Sequence, residues 1–396
     1  MERRVLIWMC VLVAVNQLGF GGVMPALPLY AQSFGVSASA IGLAVGVYGL
    51  ARFVVAAPVG HLADRFGRRP TLALGGVITS LGNLWCALAG NYPEFITARF
   101  VAGAGAGLMV TVGQIVLADI TTPERRGRTM AIYQGVFIFA AGVGPFPGGL
   151  LAQHFGLAAP FAAYAATGVV STALAWFAVR ETRELARARS PHAAGAGPSL
   201  AAQIRQLSRQ IGFVLVSLVA LTNAVARTGG LFSLIPLLAS VRLGISVTAI
   251  GAGLALGSVV GLVAVYPAGM LVDHFGRKAV IAPATVISGV SMLLFCVAPS
   301  YPWFLAACVA WGVASSVGGA APAAYAADCA PAGLNATTVS LFRMVSDAGY
   351  VMGPVLLGLI ADLYDPTAAL VVAAALLVII GALFAWFAPE TYRGRG

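Results

Sequence analysis

The sequence has very few charged residues. Asp, Glu, Lys and Arg make up 9% of the 396 residues, whereas hydrophobic residues make up 60%. A soluble globule of this size needs more polar surface than that to face water. We therefore exclude a soluble protein and expect a lipid bilayer to surround the chain.

Residues that carry catalytic or metal chemistry are also scarce. The four histidines (His61, His154, His192 and His274) fall in loops or at predicted helix ends, and the five cysteines form no Cys-x-x-Cys pair. No His-Glu-x-x-His or Gly-x-Ser-x-Gly motif is present. We predict no enzyme, no catalytic residue, no metal site, no cofactor and no disulfide. The basic residues form no patch with interleaved aromatics, which argues against nucleic acid as a partner.

Long apolar runs are the most abundant feature of the chain. Each is about 20 residues long, the length that an α-helix needs to cross a bilayer. They predict transmembrane helices 1 to 12, in chain order, at residues 5–30, 41–60, 71–90, 95–118, 130–152, 159–179, 211–238, 247–269, 279–298, 302–326, 338–361 and 367–388. We interpret the first run as an uncleaved helix and not as a signal peptide.

The positive charges lie mainly on one side of the predicted membrane. Of 23 Lys and Arg residues, 18 fall in segments on the side of the N-terminus, Arg242 lies in a loop on the other side, and four lie inside helices. Cytoplasmic loops carry such an excess. We expect both termini in the cytoplasm, in a multi-pass protein of a bacterial plasma (inner) membrane.

The chain contains an internal repeat with an offset of 209 residues. Without gaps, this shift aligns four pairs of segments: 60–69 with 269–278, Asp119 with Asp328, Gly144-Pro145 with Gly353-Pro354, and Glu181-Thr182 with Glu390-Thr391. We expect an all-α membrane protein with two six-helix bundles related by a pseudo-two-fold axis along the membrane normal. The predicted parts are an N-terminal bundle at 1–180, a cytoplasmic linker at 181–210 and a C-terminal bundle at 211–396. A monomer is expected.

The loop after helix 2 reads Gly60-x-Leu-x-Asp64-Arg65-x-Gly67-Arg68-Arg69. It resembles the signature of the major facilitator superfamily, and more narrowly its twelve-helix drug:proton antiporter branch. The resemblance implies that Asp64 contacts the start of helix 11, near 335–338, in one access state. By the repeat, Asp273 would contact the start of helix 5, near 127–129. The conformational-switch residues implied by these two loops are Gly60, Asp64, Arg65, Gly67, Arg68, Gly269, Asp273, Gly276 and Arg277.

Helix 5 carries two prolines and four glycines between Gly142 and Gly149. This segment resembles the antiporter motif of the superfamily, which adds Gly144, Pro145, Gly148 and Gly149 to the switch residues. A bent packing surface is the alternative. Helix 8 offers Gly253, Gly257 and Gly261 at four-residue spacing as packing partners for this segment.

Five ionisable residues fall inside predicted helices: Arg52, Arg99, Arg227, Arg343 and Asp347. Because charges are costly in a membrane, each is a functional candidate. We nominate Asp347, Arg343 and Arg99 for proton coupling. Two alternatives stay open: Arg99, which precedes Gly103, Gly105 and Gly107, could snorkel to headgroups, and Arg343 and Asp347 could form a permanent ion pair.

The resemblance implies a cavity lined by helices 1, 4, 7 and 10. These helices supply the cavity candidates Asn16, Gln114, Asn223, Arg227, Trp311 and Tyr325, and Arg52 of helix 2 is a further candidate. Each of them could instead join helices. The expected function is proton-coupled efflux of small amphiphilic molecules by alternating access. Export or flipping of a lipid or anionic metabolite is the alternative, and a channel-like protein is a remote one. Helix 1 lacks Asp and Glu, and buried arginines outnumber buried carboxylates, which favours an anionic or zwitterionic substrate.

Overall fold

The structure of the chain is a computed structural model that describes residues 2–121, 123–179, 181–182, 200–330 and 335–391. Within these ranges the chain is helical and contains no strand. Twelve helices are long and apolar enough to cross a membrane. The all-α class and the number of spans are thereby confirmed. Most of the predicted linker, residues 183–199, lies outside the described residues.

The bounds of the spanning helices are as follows, with helices 1 to 12 in chain order: Glu2–Val23, Ala38–Phe66, Arg68–Leu88, Tyr92–Ile120, Pro123–Val143 continued by Pro145–Phe155, Ala159–Phe177, Ile211–Val225 continued to Leu243, Val247–Phe275, Arg277–Val297, Tyr301–Asp328, Asn335–Leu363 and Pro366–Phe387. Two short helices, Leu27–Gln32 and Leu200–Ser208, lie between them.

Several helix ends differ from the apolar runs that predicted them. Helix 2 continues to Phe66, six residues beyond the predicted apolar run. Its last turns are polar, so hydropathy did not include them although they are helical. Helix 1 ends at Val23, where Pro25 follows within two residues and cannot continue the hydrogen-bond ladder. Helix 12 begins with an Asp365 side chain that accepts the N–H of Ala368, and this bond lowers the pKa of the carboxyl. Local capping and proline chemistry therefore decide the ends.

Two helices are irregular. Helix 5 is interrupted at Gly144, and Pro145 begins its second segment, as the cluster of glycine and proline indicates. Helix 7 contains a π-helical segment, Ala226–Leu234, between its two α-helical parts. No feature of the sequence predicted this segment.

The chain forms two compact units. Unit 1 consists of Met1–Val36, Val47–Gly195 and Ser246–Ala255, and unit 2 of Ser37–Gly46, Ala196–Ile245 and Leu256–Gly396. In unit 1, helix 3 packs on helices 4 and 6, and helix 1 on helices 4, 5 and 6. In unit 2, helix 9 packs on helices 10 and 12, and helix 7 on helices 10, 11 and 12. The repeat in the sequence thus becomes a repeated set of helix pairs.

Candidate functional site

In unit 1, Arg68 joins two carboxylates at the start of helix 3. Its Nε lies 2.9 Å from Asp119 Oδ2, and its Nη1 lies 2.6 Å from Asp64 Oδ1. The Arg68 side chain is 6% exposed, whereas that of Asp64 is 68% exposed. The predicted switch residue Asp64 is therefore held by Arg68 from one side while its carboxylate stays accessible.

Glu181, which follows helix 6, replaces the missing side-chain cap of helix 3. Gly67 occupies the N-cap position and has no side chain to accept a hydrogen bond. The Glu181 carboxylate accepts the backbone N–H of Arg68 at 2.9 Å and of Arg69 at 3.1 Å. Thr182 donates its hydroxyl to Asp119 at 3.0 Å. A carboxylate at a helix N-terminus is favourable both as an acceptor and as a negative charge.

Unit 2 repeats this arrangement. Arg277 pairs with Asp328 and donates to the carbonyl of Ala324. Glu390 accepts the backbone N–H of Arg277 at 3.1 Å and of Lys278 at 3.0 Å. Three of the four repeated sequence segments therefore meet at one place in each unit. Sequence reasoning missed both glutamate caps, although the repeated Glu-Thr pair was the signal that could have found them.

The remaining residues of the two signature loops are partly described. Gly60 lies within helix 2 and Gly269 within helix 8. Arg65 is exposed and lies 5.4 Å from the ring centre of Phe66. The side chains of Asp273 and of residues 122–128 lie outside the described part of the chain. The expected contact of Asp273 with helix 5 accordingly stays a prediction.

Gly67→Ala is expected to destabilise the protein more than Gly156→Ala. Both glycines have positive φ, +103° and +88°, which costs a non-glycine residue about 1–3 kcal/mol. A Cβ at Gly67 would also lie 2.6 Å from Glu181 Oε2, whereas a Cβ at Gly156 would meet nothing within 4 Å. Thermal unfolding of both variants in detergent measures the difference. Equal losses would contradict the role of Glu181 as the cap.

The glycines of the helix 5 motif allow backbone contacts on two sides. A Cβ at Gly148 would overlap the carbonyl of Gly22, and one at Gly144 would lie 2.6 Å from Leu18 O, so both glycines face helix 1. Gly149 faces the start of helix 8, where the Thr248 hydroxyl donates to its carbonyl at 3.0 Å. The motif is a packing surface for both helices within unit 1.

Two of the three expected partners of this motif on helix 8, Gly257 and Gly261, were wrong. Gly257 and Gly261 face helix 10, against Cys308 and Gly312. The glycine of helix 8 that meets helix 5 is Gly251, whose Cβ would overlap the carbonyl of Pro145. Spacing alone showed which glycines share a face, but not which helix lies opposite.

A second contact of the same kind occurs within unit 2, between residues 38–46 of helix 2 and 351–362 of helix 11. We call it the 2/11 seam. A Cβ at Gly42 would overlap the carbonyl of Pro354. By the 209-residue repeat, Gly42 corresponds to Gly251 and Pro354 corresponds to Pro145, so the two contacts are equivalent. The Asp362 carboxylate accepts the N–H of Ala38 at 2.7 Å and of Ser39 at 2.9 Å. The repeat mate of Asp362 is Gln153, which has no carboxylate. The pair of hydrogen bonds made by Asp362 is therefore particular to this seam.

Arg99 lies in a buried polar network of unit 1. It is 1% exposed, and its guanidinium lies 4.4 Å from the ring centre of Tyr48. The Tyr48 hydroxyl is 2.9 Å from that of Tyr164, which donates to Asn16 Oδ1 at 3.4 Å. The alternative that Arg99 snorkels to headgroups is wrong because its side chain reaches no surface. Tyr48 and Tyr164 were missed because an apolar run gives no sign of which tyrosines meet.

The other cavity candidates differ in accessibility. Arg52, Gln114 and Asn223 are half-buried, and Arg227 is exposed. Trp311 and Tyr325 are 4% and 0% exposed, and the Tyr325 hydroxyl donates to the carbonyl of Pro389 at 2.6 Å. In this structure Trp311 and Tyr325 pack inside unit 2, and we leave both out of the proposed site.

Asp347 lies in the interior of helix 11, 12 residues after Asn335 and 16 before Leu363. Both Asp347 and Arg343, one helical turn away, are exposed. One turn in the other direction is Val351, whose carbonyl oxygen would lie 2.5 Å from a Cβ at Gly46. Asp347 therefore lies on the face of helix 11 that forms the 2/11 seam, at the inner end of that seam.

The chain matches the model of the Major Facilitator Superfamily over residues 9–263 and 216–396. It belongs to this superfamily. An MFS-type transporter of Methanocaldococcus jannaschii is 23% identical over 92% of each chain. The multidrug resistance protein MdtL of Shewanella oneidensis is 26% identical over 68% of this chain and 66% of its own. The crystal structure of a bacterial homologue of the human lysosomal transporter Spinster is similar with a TM-score of 0.78 and 18% identity, covering 96% of this chain and 95% of its own.

Membership of the major facilitator superfamily settles the class of function. The chain is an integral membrane transporter with the alternating-access fold of the superfamily, and it is not an enzyme. A bilayer and a small-molecule substrate are its partners.

Proposed function

We propose that the protein exports small amphiphilic molecules in exchange for protons, from the cytoplasm of a bacterial cell and with both termini inside. The observation that carries the proton coupling is Asp347, the carboxylate furthest from a helix end among the described spans. A carboxylate at this depth is costly unless it has a function or a positive partner. Its position at the inner end of the 2/11 seam gives protonation a way to influence access.

The direction of transport rests on two further features. The Gly142–Gly149 segment of helix 5 has the composition of the antiporter motif and breaks the helix at Gly144. The relative in Shewanella oneidensis carries the name of a multidrug resistance protein. We propose that the accessible polar residues Asn223 and Arg227 of helix 7 bind the substrate.

Export of an anionic metabolite or lipid is the second candidate. It is favoured by the excess of arginine over carboxylate in the interior of the spans, where Arg52, Arg99, Arg227 and Arg343 accompany Asp347. An anionic cargo would compensate this charge, whereas a lipophilic cation would add to it.

The transport reaction is tested with purified protein in vesicles that contain a pH-sensitive dye. Compounds are first chosen by thermal shift from drugs, lysolipids and organic anions, because a ligand raises the unfolding temperature according to its affinity. Addition of a chosen compound outside should raise the internal pH, because protons leave as the compound enters, and the rate should saturate. Compound entry without a pH change would contradict antiport, and a rate that never saturates would indicate a channel.

A further inference from the structure

Arg227 is the one exposed residue in a long stretch of helix 7. Between Gly212 and Ser240 every other residue is buried or half-buried. Helices 10, 11 and 12 pack around this helix. A lipid-facing helix looks different, since helix 12 exposes the apolar row Val371, Val372, Leu376, Ile379 and Leu383. The Arg227 side chain is therefore accessible at a point where the rest of helix 7 is covered by protein.

Arg227 is also the middle residue of its span, Ile211–Leu243. It is too far from both ends for its side chain to reach headgroups, given a rise of about 1.5 Å per residue. A guanidinium keeps its charge in proteins, so at this depth it needs water or an anion. The surroundings must supply one of these throughout the transport cycle.

The backbone next to Arg227 packs closely against helix 11. Arg227 is the second residue of the π-helical segment, a type of turn that is frequent at functional sites. The hydroxyl of Thr228 donates to the carbonyl of Ala224 at 2.8 Å, and a Cβ at Gly229 would lie 2.6 Å from Gly353 O of helix 11. A fixed backbone presents the side chain in a narrow range of directions, which lowers the entropy lost on binding.

The groups near Arg227 suit an anion. The phenol of Tyr350 lies within electrostatic range of it, and the half-buried Asn223 is one turn away. A guanidinium offers a planar fork of donors that matches the two oxygens of a carboxylate or sulfonate. In the interior of the unit 2 spans, Arg227 and Arg343 oppose the single carboxylate of Asp347, which leaves the excess charge positive.

We propose that Arg227 binds the acidic group of the substrate, and that the substrates of this transporter are organic anions with an apolar body. The inference rests on the proposed function and assigns its chemical class of cargo. The guanidinium selects carboxylate or sulfonate over a neutral or cationic head.

The test measures binding of two matched fluorescent probes to the full chain in nanodiscs, with empty nanodiscs as the background. The probes are anilinonaphthalene sulfonate and its uncharged parent, phenylnaphthylamine. Arg227→Gln should weaken the sulfonate roughly tenfold or more, as expected for loss of a charge-assisted contact, and should leave the neutral probe unchanged. Arg227→Lys keeps the positive charge but loses the planar fork, so it should retain only part of the sulfonate affinity. The control Arg242→Gln removes a guanidinium from the end of the same helix and should change neither Kd.

A second measurement uses the unaltered protein, so that it does not depend on the folding of any variant. Naphthalene carboxylate should displace the bound sulfonate, whereas a naphthyl trimethylammonium cation should not. Equal binding of both probes, displacement by the cation, or an undiminished sulfonate affinity in Arg227→Gln would overturn the proposal. Because binding is measured without a gradient, a failure of proton coupling in the vesicle assay leaves this result unaffected.

Discussion

Asp347→Asn is expected to abolish accumulation of substrate driven by a proton gradient while preserving exchange of substrate without a gradient. The amide cannot carry a proton, but it keeps the shape and hydrogen bonding of the side chain. Asp347 lies at the inner end of the 2/11 seam, one turn from Val351, so a change in its charge acts where helices 2 and 11 touch. The measurement compares labelled-substrate uptake in vesicles with and without a pH gradient.

The alternative for Asp347 is a permanent ion pair with Arg343 that only neutralises charge. In that case Asp347→Asn would lower the unfolding temperature, because Arg343 would lose its counterion. Combining it with Arg343→Gln would then restore gradient-driven transport. Recovery of proton-driven accumulation in this double variant would eliminate Asp347 as the proton carrier.

Gly148→Val should destabilise the protein by about 3 kcal/mol or more, because the added side chain meets the backbone of helix 1 and not a movable side chain. Gly135, in the same helix, is the matched control: a Cβ there meets nothing within 4 Å. Gly135→Ala should raise stability by about 0.5–1 kcal/mol through helix propensity. Thermal unfolding in detergent reports both. A mild effect at Gly148 would show that helices 1 and 5 separate easily at this point.

The parts of the structure that the sequence predicted are those fixed by local composition or by the repeat. Apolar run length gave twelve helices because the bilayer core sets that length. The 209-residue offset pointed to Asp119, Asp328 and the two signature loops. In the structure, each aspartate pairs with an arginine of the loop in its own unit. Helix ends were less accurate because capping residues such as Asp365, and not hydropathy, determine them.

The features that escaped prediction depend on which surfaces meet. The burial of Arg99 requires Tyr48 and Tyr164 from two other helices, and neither tyrosine has a distinctive sequence context. The π-helical segment at Ala226–Leu234 adds a residue to a turn, and no proline lies within it. Both Gly251 and Gly257 are glycines of helix 8, yet Gly251 packs against helix 5 and Gly257 packs against helix 10. The sequence of helix 8 alone does not indicate which helix each glycine contacts.

The membership of Ser246–Ala255 in unit 1 and of Ser37–Gly46 in unit 2 bears on the order in which the chain folds during synthesis. Helices 1 to 6 leave the ribosome first, but unit 1 lacks its last segment until residue 255 has been made. Residues 37–46 are made long before Val351–Asp362, the segment of helix 11 that they pack against. The backbone surface at Gly149 must therefore stay unpaired until Val247 and Thr248 have been made, and the surface at Gly42 until Pro354 has been made. A chain that stops before residue 246 can complete neither unit.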